Sequence, residues 1–186
     1  ILALYNLFIY FMIKDISYFY YVAYIATLVL HHSLYVGFAN LYLFNSDLMK
    51  YIVDYAAFFI ALPVLFLALF SKSFLQTVQY RKINIVLNSL IAILILSVLF
   101  FIFTDYFAKY RNVIPILVMV YLFFITLYSF FKKNTQAKLI LFGWGAILFA
   151  GLVMYLSGAG IIGIDLSSYY VVELSFILEA LVFSIA

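Results

Sequence analysis

The strongest constraint on this chain is the length of its apolar runs. Stretches of about 18 to 25 predominantly apolar residues recur along it, each long enough to cross about 30 Å of hydrocarbon as a helix. None shows the ten-residue alternation of an outer-membrane barrel. Composition agrees: 70% of the 186 residues are hydrophobic and 9% are charged, against about half and about a quarter in a soluble domain. Within lipid a helix satisfies its own backbone groups, so the reading is all-α: a polytopic transmembrane helix bundle of seven helices, the first and last truncated, forming one domain over 1–186.

The expected segments are 1–13, 16–44, 48–70, 83–104, 113–131, 137–157 and 169–186. The first is too short to span and reads as the inner half of a helix, closed by Lys14-Asp15. The chain starts at Ile1 without a methionine or signal peptide and stops within an apolar run, so it is expected to be a piece of a longer protein. The second segment is rich in tyrosine, as interfacial belts are, and carries His31, His32 and Gly37. The third opens with Lys50 and Asp54 one turn apart, an expected surface pair, and Pro63 is expected to kink it. Phe74, Leu75 and Val78 would share one helical face, which would lay the connection from Ser71 to Lys82 on the membrane surface. Pro115 falls in the first turn of the fifth segment, where proline costs little.

Basic residues order the connections. Lys14, Lys72, Arg81, Lys82, Lys132, Lys133 and Lys138 lie by the connections after the first, third and fifth segments, and Lys50, Lys109 and Arg111 lie on the other side. Seven of ten on one side make that side cytoplasmic, with the amino end outside and the carboxyl end inside the cell. Scattered singly or in pairs, these residues do not form a nucleic-acid surface. There is no cysteine, and two histidines alone are too few for a metal site. No nucleophile-base pair, phosphate loop or zinc signature occurs, so neither catalysis nor a cofactor is implied. A retinal protein would need a lysine in its last helix, and Tyr169 to Ala186 has none.

The stretch from Ala137 to Ala186 departs most from generic membrane sequence. Gly143, Ala146 and Ala150, with Ser157 a heptad on, place small residues at helical spacing, where another helix can approach closely. Glu179 lies ten residues into an apolar run, where an unpaired charge costs roughly 2.5 to 3.5 kcal/mol on insertion scales. It must face protein or water. Ser168, Val172, Ser175, Glu179 and Val182 form one stripe, and Glu173 lies on another face, nearer the outer end. Glu179 reads either as part of a switch between two packings or as a hydrogen-bonded clasp between helices. His31 and His32, about 100° apart on a helix, and Asn84 and Asn88, on one stripe with Ala92, are candidate polar groups of the interior.

The chain resembles the membrane domain of bacterial seven-transmembrane receptors with diverse intracellular signalling modules. Tyr20-Tyr21-Val22-Ala23-Tyr24 through Gly37-Phe38-Ala39-Asn40-Leu41-Tyr42-Leu43-Phe44 is similar to the aromatic start and glycine-aromatic exit of the family's second helix. Phe70-Ser71-Lys72-Ser73-Phe74-Leu75 resembles the exit of its third. Ala137-Lys138, Trp144, Gly151, Gly160, then Leu178-Glu179-Ala180 with Ser184 resemble its sixth and seventh. Ser175 stands where the family usually has glycine, and the family's proline-asparagine pair is not evident near Asp165.

The resemblance implies a non-catalytic signal-transducing module in the bacterial inner membrane. A fused extracytoplasmic sensor would precede it, and a histidine kinase, diguanylate cyclase or similar cytoplasmic module would follow. Its partners would be these domains, the lipid bilayer and, as a candidate assembly, a second copy. The competing reading from another class is a small-solute or ion transporter or channel, with Glu173, Glu179, His31 and Pro63 lining a path.

Overall fold

The structure is a computed structural model that describes residues 2–104, 110–158 and 167–185. Within them the side chains at 46–47, 147–148, 150–152, 154–158, 167–169, 172 and 185 lie outside the description. The described residues form helices α1 (Leu2–Ile13), α2 (Ile16–Tyr35), α3 (Phe38–Tyr42), α4 (Ser46–Asp54), α5 (Ala56–Phe74), α6 (Arg81–Phe103), α7 (Val113–Phe131), α8 (Thr135–Gly158) and α9 (Ser167–Ile185), with a 3-10 turn at Thr77–Gln79. There is no strand among them. By length and composition, α5, α6 and α7 are long and apolar enough to cross a membrane.

The chain divides within α7 into two compact units, one over Ala3–Ile125 and one over Thr126–Ala186. In the first unit α2 packs on α5, and α5 on α6. Ser17, Tyr21 and Tyr24 bury one stripe of α2 at helical spacing, and the Tyr21 ring meets Phe70 of α5 at 5.7 Å between centroids. Ala57, Ala61 and Ala68 are among the buried residues of α5, and their small side chains let a neighbour come close. Leu87, Ile91 and Leu94 bury one face of α6, and Val118, Leu122 and Ile125 one face of α7.

Two expected segments are each broken in two. The second breaks at Val36-Gly37: Gly37 has φ 80°, a left-handed conformation that ends α2 and begins α3. Apolar residues continue on both sides of the break, so hydrophobicity alone does not mark it. Nothing lies within 4 Å of a Cβ placed on Gly37, so Gly37→Ala would incur backbone strain alone. We expect it to lower stability by about 1 kcal/mol, and Gly37→Asn by less, because asparagine tolerates this region; equal thermal unfolding of wild type and Gly37→Ala would overturn this.

The third segment breaks at Tyr55 (φ −97°, ψ 22°), where the polar-bearing α4 gives way to the apolar α5. The break falls there and not at Pro63, through which α5 is continuous and which is buried. Lys50 and Asp54 are both exposed on α4, but no ion pair joins them; such a pair is worth only about 0.3 to 0.5 kcal/mol against the entropy of holding it. The connection after α5 also differs from expectation. Helix α5 runs on to Phe74, Leu75 is 1% exposed and Val78 is 69% exposed, so these apolar residues do not share one face of a surface helix.

The turns are tight. Lys14 (φ 59°), Gln76 (φ 51°) and Lys133 (φ 63°) adopt left-handed backbone in the connections after α1, α5 and α7. At the end of α7, Lys133 N–H bonds to Phe130 O at 2.9 Å and Asn134 N–H to Ser129 O at 3.1 Å, the paired closure of a Schellman turn. Asp15 and Asn134 then accept from the backbone N–H of Ser17 and Gln136 at 2.9 and 3.0 Å, each capping the start of the following helix.

Candidate functional site

In the second unit α8 packs against α9, and Gly143 lies in the contact. A Cβ built there would stand 2.9 Å from Phe183 Cε1 and 3.4 Å from Glu179 Cγ. The absence of a side chain therefore lets the α8 backbone rest directly on these two residues. Glu179 and Phe183 are four apart and so share a face of α9; they are 0% and 3% exposed. Ser175, one turn before Glu179 on the same face, is also buried.

Beside this contact runs a groove of about 480 Å³, lined among others by Gly143, Ala146, Ser175 and Val182. Trp144 is buried on a neighbouring face of α8. Ser184 Oγ donates to Ala180 O at 2.9 Å, within its own helix. The side chains of Ala150, Ser157, Ser168 and Val172, and residues Gly160 and Asp165, lie outside the described residues.

This arrangement places a carboxyl group inside a close helix-helix contact. Moving Glu179 out of the contact would bring it to lipid or to water, and an intramembrane carboxylate is costly in hydrocarbon. The position of α9 relative to α8 is thus tied to where this side chain rests. Glu173 is exposed. Six residues before Glu179, it projects about 240° around α9 from it, so the two carboxylates do not line one path.

The first unit holds a polar cluster at the α5–α6 hairpin. Lys72 Nζ donates to Asn88 Oδ1 at 2.7 Å, and Thr77 Oγ1 to Asn84 Oδ1 at 3.3 Å. Across α2 and α5, Ser17 Oγ and Ser73 Oγ are 2.8 Å apart. Tyr121 Oη of α7 donates to Ile83 O at 3.2 Å. Ala92, on the Asn84 and Asn88 stripe, is exposed.

Sequence reasoning singled out the two asparagines but missed Lys72, Thr77, Ser17 and Ser73 as partners. The signal was present in part: Lys72 and Asn88 lie eight residues either side of Tyr80, as cross-hairpin neighbours must. Asn6, Thr126 and Ser129, which are polar and fully buried, were also missed. His31 and His32 are half-buried near the end of α2. Among the described residues no three His, Asp or Glu side chains gather as metal ligands.

The family described as 7TM diverse intracellular signalling matches residues 1–186 of the chain. No curated protein and no solved structure matches it.

Proposed function

The chain belongs to the 7TM diverse intracellular signalling family, an all-α transmembrane signalling fold, and on that premise we propose that it couples an extracytoplasmic sensor to a cytoplasmic output module. The output would be a histidine kinase, a diguanylate cyclase or a module of similar role, and the membrane the bacterial inner membrane. The observation that carries the coupling is Glu179, fully buried on the last helix and touching the backbone position Gly143. A small displacement of α9 along α8 must change the surroundings of this group, and α9 is the helix that would lead into the output module.

Orientation is supported by the ends of the first unit. The Ser17–Ser73 contact puts the start of α2 and the end of α5 at the same end. Lys14, Lys72, Arg81 and Lys82 therefore gather there, and Lys50 and Arg111, by the start of α5 and the start of α7, fall at the other. Basic residues concentrate on cytoplasmic connections, which supports the reading with the amino end outside and the carboxyl end inside.

Gln79 and Lys132 are exposed in connections assigned to the cytoplasm, and Asn112 is exposed in one assigned to the outside. Single cysteines at Gln79 and Lys132 should resist an impermeant thiol reagent in intact cells, and one at Asn112 should label. The reverse pattern would remove the proposed direction of signalling.

A further inference from the structure

Where α2 begins and α5 runs into the Thr77–Gln79 turn lies a pocket of about 480 Å³, within the size range of small-ligand sites. Its polar side is made of Lys72, Ser73, Gln76 and Gln79. Lys72 gives one of its N–H groups to Asn88 and retains two. Gln79 Nε2 donates to Gln76 Oε1 at 2.6 Å, which occupies the Gln76 oxygen and leaves the Gln76 amide hydrogens to donate. No carboxylate lines the pocket; Asp15, next to it in sequence, turns Oδ1 to the Ser17 N–H. The backbone of Gln76 is held at φ 51°, a region disfavoured for residues with a Cβ and concentrated at ligand clamps.

The other side is apolar. Leu69 and Tyr20 wall it, and Ile16 and Val78 stand at 42% and 69% exposure. A soluble anion would make no use of that wall. The pocket lies where apolar helices end in a polar turn, the level of lipid headgroups, and tyrosine favours that level. Arg81 and Lys82, exposed just beyond the turn, add positive potential toward an anionic leaflet.

We propose that this pocket binds an anionic phospholipid, its phosphate received by the Lys72 ammonium and the Gln76 amide and the start of its acyl chains lying along Leu69, Ile16 and Val78. Lysine binds phosphate as a point charge, so net negative lipids are preferred over zwitterionic ones. The site needs only the level of the interface and does not rest on the signalling role.

Purified protein, stripped of lipid in neutral detergent, is titrated with phosphatidylglycerol or phosphatidylcholine while native mass spectrometry counts bound lipid and thermal unfolding is recorded. Phosphatidylglycerol should be retained at least about tenfold more tightly, because phosphatidylcholine offers the same phosphate but brings a choline cation near the Lys72 ammonium. Lys72→Gln should remove most of that preference and Gln76→Ala, whose amide serves the phosphate both lipids share, should weaken retention of both alike, whereas Lys50→Gln, at the opposite end of the unit, should keep the preference. Because Lys72→Gln also breaks the contact with α6, Asn88→Ala is the control: it breaks the same contact, spares the ammonium and should keep the preference. Equal retention of the two lipids, an unchanged preference in Lys72→Gln, or an equal loss in Asn88→Ala overturns the proposal. Inorganic phosphate alone giving the same thermal shift would assign the pocket to a soluble anion and overturn the lipid.

Discussion

Gly143→Leu is expected to force α8 and α9 apart and to lower the thermal stability of the purified protein more than a leucine at Gly145. At Gly143 the first added carbon already meets Phe183 at 2.9 Å and Glu179 at 3.4 Å, and the rest of a leucine has nowhere to go without moving α9. Overpacking of this kind costs about 1 to 3 kcal/mol or more. Gly145, half a turn away, has nothing within 4 Å of the same built carbon. Alanine separates packing from propensity. Replacing glycine by alanine inside a helix gains about 1 kcal/mol; Gly145→Ala should show that gain, while Gly143→Ala should lose all or more of it to the crowding against Phe183. Thermal unfolding in a single detergent measures the difference. If the alanine and leucine pairs unfold alike at the two positions, Gly143 is not the point of close approach and the contact must be sought elsewhere on α8.

The parts of this fold legible in the sequence were those set by apolar length between charges. The expected 113–131 coincides with α7, and 83–104 differs from α6 by two residues at one end and one at the other. The breaks at Gly37 and Tyr55 were not legible, because apolar residues flank them and a hydrophobic run does not record a change in backbone conformation. Ser71 and Leu75 misled for the opposite reason. Their segment looks like a polar connection, yet α5 continues to Phe74 and both residues are buried.

At the candidate site the sequence pairs the small-residue face of Gly143, Ala146 and Ala150 with the stripe of Ser175 and Glu179, but it does not say which of these residues meet, nor that Phe183 joins them. Their contact depends on the rotation of α8 about its axis. Small residues at Gly143, Gly145 and Ala146 leave that rotation open, because none carries an apolar pattern that selects a face. The Lys72–Asn88 and Thr77–Asn84 bonds became assignable only with the hairpin centre fixed near Tyr80.

Glu179→Gln is expected to shift the unliganded output of a receptor in which this domain is joined to the proposed output module, while leaving its stability near wild type. Glutamine keeps the length of the side chain and most of its hydrogen bonding, so the contact with Gly143 can still form. What it removes is the ability to carry a charge that favours one environment over another. A two-state receptor responds to a ligand only through a difference in affinity between its states, and a residue that biases the same equilibrium changes the resting population without any ligand. A bias of about 1.4 kcal/mol changes that population ratio tenfold. Glu179→Ala does something else: it empties space at a fully buried position and should destabilise the second unit by about 2 kcal/mol or more, the scale of a large-to-small change in a packed core. If Glu179 is only a clasp, Gln is nearly silent in signalling and Ala lowers stability; if it sets the balance, Gln alone already moves the output. Gly143→Ala, which crowds Phe183 one turn along the same face as Glu179, should then move the output too, since it acts on the same contact from the other helix. Wild-type output and wild-type stability in both Glu179 variants would refute either role and return the search for the coupling residue to the Asn84 and Asn88 stripe, where Lys72 and Thr77 hold the α5–α6 hairpin.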